Sequence, residues 1–404
     1  MQPVIAGASG TARGPSPALT FLLAAACGLL VANVYYAQPL ISLIAPDIGL
    51  PPGAASLIVT TTQFGYCLGL LLLVPLGDLL PNRRLILVTQ SGACLALLSA
   101  SWVHGAPAFL SACFAIGLCS VVVQMLVPLA AHLAPDAIRG QVVGRVMSGL
   151  LIGIMLARPT ASMITALFGW RAVFAMSSAL TAALVLLLLR TLPERIPPPS
   201  TGYLALLGSL WTLLRDTPLL RRRAAYQAAL FAAFSVYWTA VPLLLAGPHF
   251  GFSQRGIAVF ALTGVAGALA APVAGRLADR GRTHVATAIA MALVAVGMLL
   301  GLAGAQGSLA ALLMAGVLMD LGVQANLVLG QRAIYSLGGD MRSRLTGLFL
   351  AIFFVGGAFG SALASPAFQL GGWALVSTLG AAFPLLALVF YASEGRPPRM
   401  APSA

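Results

Sequence analysis

The chain reads GRLADRGR at Gly275–Arg282, which places four charged residues in a short break between two long apolar runs. A related break reads PLGDLLPNRR at Pro75–Arg84, and its Asp78 precedes Asp279 by 201 residues. Both breaks combine arginine with turn-forming Gly, Pro or Asn, as expected where a chain leaves and re-enters a membrane. The two stretches therefore indicate apolar runs that cross a membrane, in an arrangement that repeats at about half the chain length.

The composition supports a membrane protein. The 404-residue chain is 60% hydrophobic and 8% charged, with a mean hydropathy of +0.98. A soluble domain needs a larger polar fraction to cover its surface, so this composition excludes one. All 22 basic residues are arginine and the net charge is +13. Because the arginines lie in the breaks between apolar runs, we expect a lipid bilayer and no nucleic acid as the partner.

Twelve apolar runs are long enough to cross a bilayer as helices, which predicts an all-α integral membrane protein with 12 transmembrane helices. The runs lie at about Ala18–Ile44, Ala54–Leu76, Leu85–Trp102, Ala108–Ala130, Val146–Phe168, Ala172–Leu189, Ala224–Ala246, Ile257–Leu277, Val285–Ala303, Leu309–Leu329, Leu345–Leu370 and Ala374–Tyr391. The predicted organisation is a tail at 1–17, a six-helix bundle at 18–189, a linker at 190–223, a second bundle at 224–391 and a tail at 392–404.

The placement of arginine predicts the orientation. With both termini in the cytoplasm, 19 of the 22 arginines fall in cytoplasmic segments, while Arg171 and Arg255 lie outside and Arg158 lies within a span. The opposite orientation would violate the bias at nearly every loop. We therefore expect a multi-pass protein of the plasma membrane with both termini cytoplasmic.

The linker at 190–223 contains Pro197–Pro199, then an apolar-rich stretch at Tyr203–Leu214, then Arg221–Arg223. An apolar-rich stretch beside arginines favours a short helix lying on the membrane surface. An unstructured linker fits the same composition, so both alternatives stay open at this point.

The two halves of the chain repeat. At an offset of 203 residues, Gly153 aligns with Gly356 and Trp170 aligns with Trp373. Several matches at one offset indicate duplication. Paired six-helix halves around a midplane site are typical of transporters.

The break at Gly275–Arg282 resembles the GxLaDrxGr signature of the major facilitator superfamily, at the loop where that family carries it. The copy at Pro75–Arg84 departs from the signature at Val74, Leu79 and Asn82. With the spans and the duplication, the resemblance covers nearly the whole chain. It implies two six-helix bundles with pseudo-two-fold symmetry, and alternating-access transport across a bacterial inner membrane.

The fifth span carries small residues at every fourth position, Gly149, Gly153 and Ala157, directly before Arg158. Such a stripe favours close helix packing. It resembles the fifth helix of the family's drug–proton antiporters, although Arg158 replaces a glycine of that pattern. The sequence YYAQPL at Tyr35–Leu40 instead resembles the arabinose-efflux-permease-like branch of bacterial transporters.

The resemblance also implies a cytoplasmic gate. In this family the aspartate of each signature faces a helix of the other half, so Asp279 would face the start of the fifth span and Asp78 the start of the eleventh. The positive end of a helix dipole would strengthen each contact. Ordinary loop charges that only set topology are the alternative. The predicted gate residues are Asp78, Arg83, Arg84, Arg139, Arg145, Gly275, Asp279, Arg280, Arg282, Arg342 and Arg344.

Asp320 is the one acidic residue in the middle of an apolar run, the tenth. A carboxylate at that depth is costly and indicates function, here a proton-responsive role. Arg158 is the basic residue at the middle of the fifth run. The sequence predicts that the two residues form a charge pair between the halves. A permanent structural ion pair is the alternative.

Several polar and aromatic side chains lie in the spans that the family places around its central cavity. They are Asn33, Tyr36, Gln38, Gln124, Tyr237, Trp238, Gln324 and Asn326. Amides and aromatics without a ring of charges suit an amphipathic organic molecule better than a strongly anionic one. Each residue taken singly could instead hold two helices together.

These observations predict a monomeric, proton-coupled exporter of small organic molecules that needs no cofactor or metal. A uniporter or an importer of a sugar-like or other metabolite on the same fold is the first alternative, because sequence does not assign direction. A membrane-embedded enzyme is the second. The chain has no HExxH or DDxxD motif and its four histidines are scattered, so no catalytic cluster is predicted.

Overall fold

A computed structural model describes residues 14–197, 202–337 and 342–394. Every regular element within these ranges is helical. The α-helices are α1 (Pro17–Ala32), α2 (Ile41–Asp47), α3 (Leu57–Leu72), α4 (Asn82–Trp102), α5 (Ala106–Cys119), α6 (Val123–Leu133), α7 (Asp136–Phe168), α8 (Trp170–Thr191), α9 (Tyr203–Asp216), α10 (Pro218–Ala246), α11 (Gln254–Ala261), α12 (Gly267–Asp279), α13 (Thr283–Gly301), α14 (Leu309–Tyr335) and α15 (Arg342–Ala392). Short 3-10 turns lie at Gln38–Leu40, Pro52–Ala54, Val74–Asp78, Ser120–Val122, Leu262–Ala266 and Leu302–Gln306.

By length and hydropathy, ten continuous helical segments in the described part of the chain are candidate membrane spans. The longest, Arg344–Ala392, contains two non-helical residues, Gly371 (φ −144°) and Gly372 (φ 59°), and so forms two arms. Gly372 needs to be glycine because a side chain is strained at positive φ. With its two arms counted separately, the ten segments give eleven crossings. The interrupted span α1–α2 adds the twelfth, which is consistent with the twelve apolar runs.

The loops that carry most of the arginines meet at one end of the bundle, called here the arginine-rich end. Arg195 N of the linker donates to Asn82 Oδ1, in the break at Pro75–Arg84, at 2.6 Å. The other end is called the arginine-poor end. At that end the start of α8 contacts the end of α2: Trp170 Nε1 donates to Asp47 Oδ2 at 3.1 Å.

The first span differs from the continuous helix predicted for Ala18–Ile44, because a turn and a 3-10 turn separate α1 from α2. Pro39 in this segment has no N–H to donate. Gln38 N bonds the nearby carbonyl of Tyr35 at 3.2 Å instead of continuing the α-helical pattern. The interruption places Tyr35 and Gln38 beside a buried arginine at the centre of the molecule.

The linker contains a helix, α9, so the helical alternative for residues 190–223 is the one observed. This helix packs against α10, against the start of α15 and against the 3-10 turn Val74–Asp78. The next helix, α10, begins at Pro218, before the predicted start of the seventh span at residue 224. Arg221–Arg223 therefore belong to a span and not to the linker.

Each half contains a close contact between its first and its fifth span. A Cβ on Gly153 of α7 would stand 2.1 Å from Gly28 O of α1. A Cβ on Gly356 of α15 would stand 2.2 Å from Ala228 O of α10. Such an approach of two backbones requires glycine. Gly153 and Gly356, which align in the repeat, therefore have the same packing role in both halves.

Two seams join the halves: α3 packs against the first arm of α15, and α7 packs against α11. Uncharged hydrogen bonds join the α3–α15 seam toward the arginine-poor end. Ser56 N donates to Ser365 Oγ at 3.0 Å, and Thr60 Oγ1 lies 3.0 Å from Ser361 Oγ. Helix α12, which continues the eighth span toward the arginine-rich end, packs against α13 and α14 of its own half. The described interface is thus closed toward the arginine-poor end.

Candidate functional site

Asp320 of α14 and Arg158 of α7 lie in one buried cluster between the halves, with 5% and 2% of their surface exposed. Trp238 Nε1 of α10 donates to Asp320 Oδ2 at 3.1 Å. Arg158 Nε donates to Gln38 Oε1, in the interrupted first span, at 2.8 Å. The cluster therefore joins two helices of each half.

The two charges lie close together but form no direct ion pair, which differs from the contact expected from the sequence. No nitrogen of Arg158 is within 4.0 Å of an oxygen of Asp320, although both side chains are fully described. They flank Gly264, where a Cβ would stand 3.6 Å from Arg158 Nη1 and 3.7 Å from Asp320 Oδ2. Each group is bonded instead to a neutral side chain. At this separation the charges still attract through a medium of low dielectric constant.

Aromatic rings surround the Arg158 guanidinium. Its Cζ lies 5.2 Å from the ring centre of Tyr35, 4.9 Å from that of Phe234 and 4.5 Å from that of Trp238. Such contacts stabilise a desolvated cation. The buried Nη2 finds no acceptor among the described residues. Arg158 is therefore only partly compensated in this conformation.

Further polar residues extend the cluster along α10, and sequence reasoning missed them. Gln38 Nε2 donates to Thr239 Oγ1 at 3.4 Å, and Gln63 Nε2 of α3 donates to Ser235 Oγ at 3.2 Å. Gln63 is an amide inside an apolar run, which is a usable signal. Thr239 and Ser235 carry none, because hydroxyls are common in membrane helices.

Three predicted cavity residues make hydrogen bonds within their own half. Ser177 Oγ donates to Asn33 Oδ1 at 2.6 Å. Asn326 Nδ2 donates to Gln227 Oε1 at 2.6 Å. Tyr237 Oη donates to a backbone carbonyl of α14 at 2.6 Å. In this structure these three side chains connect helices, whereas Gln38 and Trp238 contact the charged cluster.

The other three predicted cavity residues have different surroundings. Gln124 is half-buried and its Nε2 donates to Tyr66 Oη at 3.3 Å. The Tyr66 ring contacts Phe354 across the interface in a tilted arrangement, with 4.3 Å between ring centres and 36° between the ring planes. Gln324 is half-buried one turn beyond the aspartate of α14. Tyr36 lines a groove between α1 and α7.

The expected contact of Asp279 with the fifth span is not made in this structure. Asp279 forms an ion pair with Arg332, at the end of α14 in its own half. Arg332 Nη1 also donates to Gly275 O at 3.1 Å. Arg139 pairs with Asp136 on its own helix at 2.5 Å. The Asp279 latch is therefore corrected to a contact within one half, because Arg332 comes within reach only once α12 packs against α14.

Asp78 and Arg344 do come together across the α3–α15 seam, where both line a small cavity at the arginine-rich end. Leu210 of α9 lines the same cavity, and Arg344 Nη1 donates to Ser209 Oγ of that helix at 3.2 Å. The linker helix thus takes part in this contact, which the sequence did not indicate.

The remaining predicted gate residues lie at the arginine-rich end. Arg83 donates to the carbonyl of Leu189 at the end of α8. In this set, the side chains that are exposed are those of Arg84, Arg145, Arg280 and Arg282. The side chain of Arg342 lies outside the described residues.

The cluster combines a buried acid, a buried base and the Trp238 ring, which contacts both. Protonation of Asp320 would remove the charge that faces Arg158, and rearrangement of Gln38 or Trp238 would change the distance between them. Such a site can link a change of protonation to a change in the contacts between two halves. Among the described residues of the cluster there is no nucleophile with its own base.

Comparison with known proteins assigns the family. The sequence model described as Major Facilitator Superfamily matches residues 21–280 and 223–404. The "Uncharacterized transporter YgaY" of Escherichia coli O157:H7 is 43% identical over 377 residues, covering 93% of this chain and 95% of that protein. The "Probable transporter SCO4007" of Streptomyces coelicolor is 37% identical, covering 96% and 90%.

Two more distant comparisons agree. A "Probable sugar efflux transporter" of Pasteurella multocida is 25% identical over 65% of this chain and 63% of that protein. The crystal structure of a mutant of the nucleoside transporter NupG superposes with a TM-score of 0.74 at 14% identity, over 94% of this chain and 100% of that one. At that identity the likeness shows the fold alone. The chain therefore belongs to the Major Facilitator Superfamily and is a multi-pass membrane transporter, not an enzyme.

Proposed function

We propose that the protein is a proton-coupled exporter of small organic molecules that works by alternating access, with Asp320 as the group that takes up and releases the proton. The observation that carries the proposal is the burial of Asp320. Among the acids of the described residues, it is the one with less than a tenth of its surface exposed. It lies between the halves, close to a buried arginine with which it forms no direct bond.

The physical basis is the cost of burying charge. An ionised Asp320 and Arg158 attract each other across the interface, and this attraction favours a conformation that holds the halves together at that level. A protonated Asp320 loses the attraction, which leaves Arg158 with its rings and Gln38. Proton binding thus changes the relative free energies of conformations, which is the requirement for coupling.

The substrate is proposed to be amphipathic. The centre presents amides, hydroxyls and stacked aromatic rings, which suit a molecule with both polar and apolar faces. A sugar or a sugar-like metabolite is the second candidate, favoured by the similarity to the "Probable sugar efflux transporter" of Pasteurella multocida. On that alternative the same fold would operate as an efflux protein, a uniporter or an importer of the sugar.

The proposed orientation places the arginine-rich end in the cytoplasm of a bacterial cell and both termini on that side. The bias of arginine toward that end supports it. A cysteine at Gly105, an exposed position before α5, should react with an impermeant maleimide from outside when the native cysteines are replaced. A cysteine at Asn82 should not. If only the cysteine at position 82 were labelled from outside, the opposite orientation would be the correct one.

Transport in proteoliposomes tests the function. Vesicles containing the protein and a trapped pH dye receive a panel of sugars and amphipathic compounds, and substrate-dependent proton movement is measured. Asp320→Asn should abolish this movement, because Asn mimics the neutral acid and cannot release a proton. Glu194→Gln, at an exposed acid of the linker, should behave like the native protein. Normal proton movement in Asp320→Asn would refute the role of Asp320.

A further inference from the structure

A groove of about 480 Å³ runs between α1 and α7. Its volume lies within the range of ligand pockets, about 300–1,000 Å³. Phe21 and Arg145 line it near the arginine-rich end, and Tyr36 and Thr160 line it at the opposite end. The α7 wall, Arg145–Thr160, spans 16 residues, which in a helix corresponds to about 22 Å; the other wall continues past the end of α1 at Ala32 to Tyr36. The groove is long and narrow, unlike the compact central cluster.

Small residues create this shape. The two helices touch through their backbones, since a Cβ on Gly149 would stand 2.3 Å from Ala24 O. Where the backbones meet, no large side chain from either helix can fill the space between the rims. Ile152 and Leu156 on the rim are 53% and 45% exposed. The apolar floor and rims are thus open along the length of the groove.

The ends of the groove differ in chemistry. Arg145 is the one charged side chain among the described residues that line it, and it is exposed. At the other end, Tyr36 follows Tyr35, whose ring lies 5.2 Å from the Arg158 guanidinium. Thr160 lies two residues beyond Arg158 on the same helix. The groove therefore leads from an exposed cation near the arginine-rich end to the level of the central cluster.

We propose that this groove binds a single-chain anionic amphiphile, of the class of long-chain carboxylates, which enters from the membrane leaflet at the arginine-rich end. The carboxylate contacts Arg145, and the chain lies on the floor between α1 and α7. The positive charge of Arg145 complements a carboxylate, and the apolar groove of about 22 Å beyond it accommodates a single alkyl chain, so the groove fits this class of molecule. As a substrate class the proposal rests on the proposed transport function, but binding itself does not.

Equilibrium binding of a dansyl-labelled undecanoic acid to the full-length protein, in nanodiscs of zwitterionic phosphatidylcholine, tests the proposal. Arg145→Gln should raise Kd about tenfold, the effect of losing one charge-assisted hydrogen bond. The matched control Arg190→Gln, at an exposed arginine of α8, should not. The corresponding dansyl-labelled alcohol should bind equally to the native protein and Arg145→Gln, because it has no charge to lose.

A second variant tests the apolar part of the groove. Ala25→Phe fills the groove from an exposed position on α1 and should raise Kd more than about tenfold, since several methylene groups lose their contact. Ala175→Phe, at an exposed position of α8, is the control. Equal Kd values for these two variants, or for Arg145→Gln and Arg190→Gln, would overturn the proposal.

Two outcomes separate the groove from other possibilities. Phosphatidylglycerol added to the nanodiscs should not displace the probe, whereas displacement would make a two-chain membrane lipid the occupant and refute the single-chain class. Asp320→Asn should bind the probe with unchanged Kd. If the native protein binds the probe but shows no proton-coupled transport, the groove proposal is supported and the proton role of Asp320 is refuted. If the native protein shows proton-coupled transport but does not bind the probe, the groove proposal is refuted and the proton role is supported.

Discussion

Trp238 is the residue that contacts both central charges. Its ring lies 4.5 Å from the Arg158 guanidinium and its Nε1 donates to Asp320 at 3.1 Å. A hydrogen bond to a carboxylate favours the ionised form, and an aromatic face favours a nearby cation. One neutral side chain thus stabilises both charges without bringing them into contact. The attraction between the two charges is therefore moderate.

A double-mutant cycle measures this interaction. Asp320→Asn and Arg158→Gln should each lower the melting temperature, because each leaves the opposite charge buried without its counter-charge. The coupling free energy should be about 1–2 kcal/mol, within the usual range for interacting neighbours. Thermal unfolding in detergent gives the values, with Arg190→Gln replacing Arg158→Gln as the uncoupled control. A coupling of about 4 kcal/mol or more would indicate a direct ion pair instead.

The Asp47 side chain predicts a pH effect at the arginine-poor end. A hydrogen bond from Arg171 lowers the pKa of Asp47, assisted by the positive charge of Arg171, the N–H of Trp170 and the charge of His104. The folded pKa thus lies below the unfolded value, so the stabilisation is present above the unfolded pKa and is lost as pH falls through the folded pKa.

Asp47→Asn should therefore lower the melting temperature at pH 7, and lower it by less at about pH 3, below the unfolded pKa of Asp47. The change should be small, because the Arg171 and Asp47 side chains are 32% and 45% exposed and water screens the pair. Asp216→Asn, at an exposed acid of α9, serves as the control. A deficit of the same size at both pH values would mean that Asp47 acts through packing and not through its charge.

At the scale of elements, α9 connects the halves at the arginine-rich end. Tyr203 Oη donates to Leu72 O of α3 at 2.9 Å, and Ser209 Oγ accepts from Arg344 of α15 at 3.2 Å. Leu210 lines the small cavity between α3 and α15. The helix is thus bonded to one span of each half at the same seam.

Tyr203→Phe and Ser209→Ala should each shift the conformational equilibrium toward states in which α3 and α15 separate at the arginine-rich end. Each loses one hydrogen bond, worth about 1 kcal/mol, which corresponds to a change of roughly fivefold in population. Spin labels on the two spans at that end would report the distance distribution. Thr212→Ala, whose hydroxyl bonds only its own helix, is the control. Distributions identical to that of the native protein would show that α9 does not hold the seam.

The sequence predicted the helices whose first and last residues are determined by the residues at those positions. Apolar length determined the spans, and the predicted break between the runs ending at Leu370 and starting at Ala374 contains the two non-helical residues, Gly371 and Gly372. The interruption near Pro39 was missed, since membrane helices often contain proline. The predicted bounds also missed the extension of α10 to Pro218, where the residues before 224 are polar.

The sequence indicated which charges lie inside the molecule more readily than what they contact. Asp320 and Arg158 stood out because acids and bases are rare inside apolar runs. Their separation depends on Gly264, Gln38 and Trp238, which come from three other spans and meet only in the folded molecule. The partner of Asp279 was assigned to the wrong half because loops alone do not show that Arg332 reaches Gly275.

At the scale of the whole molecule, the α3–α15 seam determines which side is closed. Ser56 N donates to Ser365 Oγ at 3.0 Å, and Ser365 N donates back to Ser56 Oγ at 3.4 Å. These reciprocal bonds bring the two backbones together near the arginine-poor end. Alternating access requires that such contacts break when that side opens.

Cysteines at Ser56 and Ser365, with the five native cysteines replaced, should form a disulfide on mild oxidation, because the backbones lie within the separation that a disulfide spans. The cross-linked protein should lose transport, and a reducing agent should restore it. Each single cysteine variant should transport normally under oxidation. Full transport by the cross-linked protein would show that this seam stays closed throughout the cycle.

The chemical contrast between the two ends has a consequence for ionic strength. Serine and threonine close one side, whereas the exposed Arg332–Asp279 pair and Arg344 stand at the other. Raising salt from 0.1 M to 1 M shortens the Debye length from about 10 Å to about 3 Å, which weakens exposed charge contacts and leaves uncharged hydrogen bonds nearly unchanged. Salt should therefore weaken the contact of Asp78 and Arg344 between the halves at the arginine-rich end more than the serine and threonine bonds between the halves at the other end, and the resting balance between the two openings should follow the salinity of the medium that bathes the arginine-rich end.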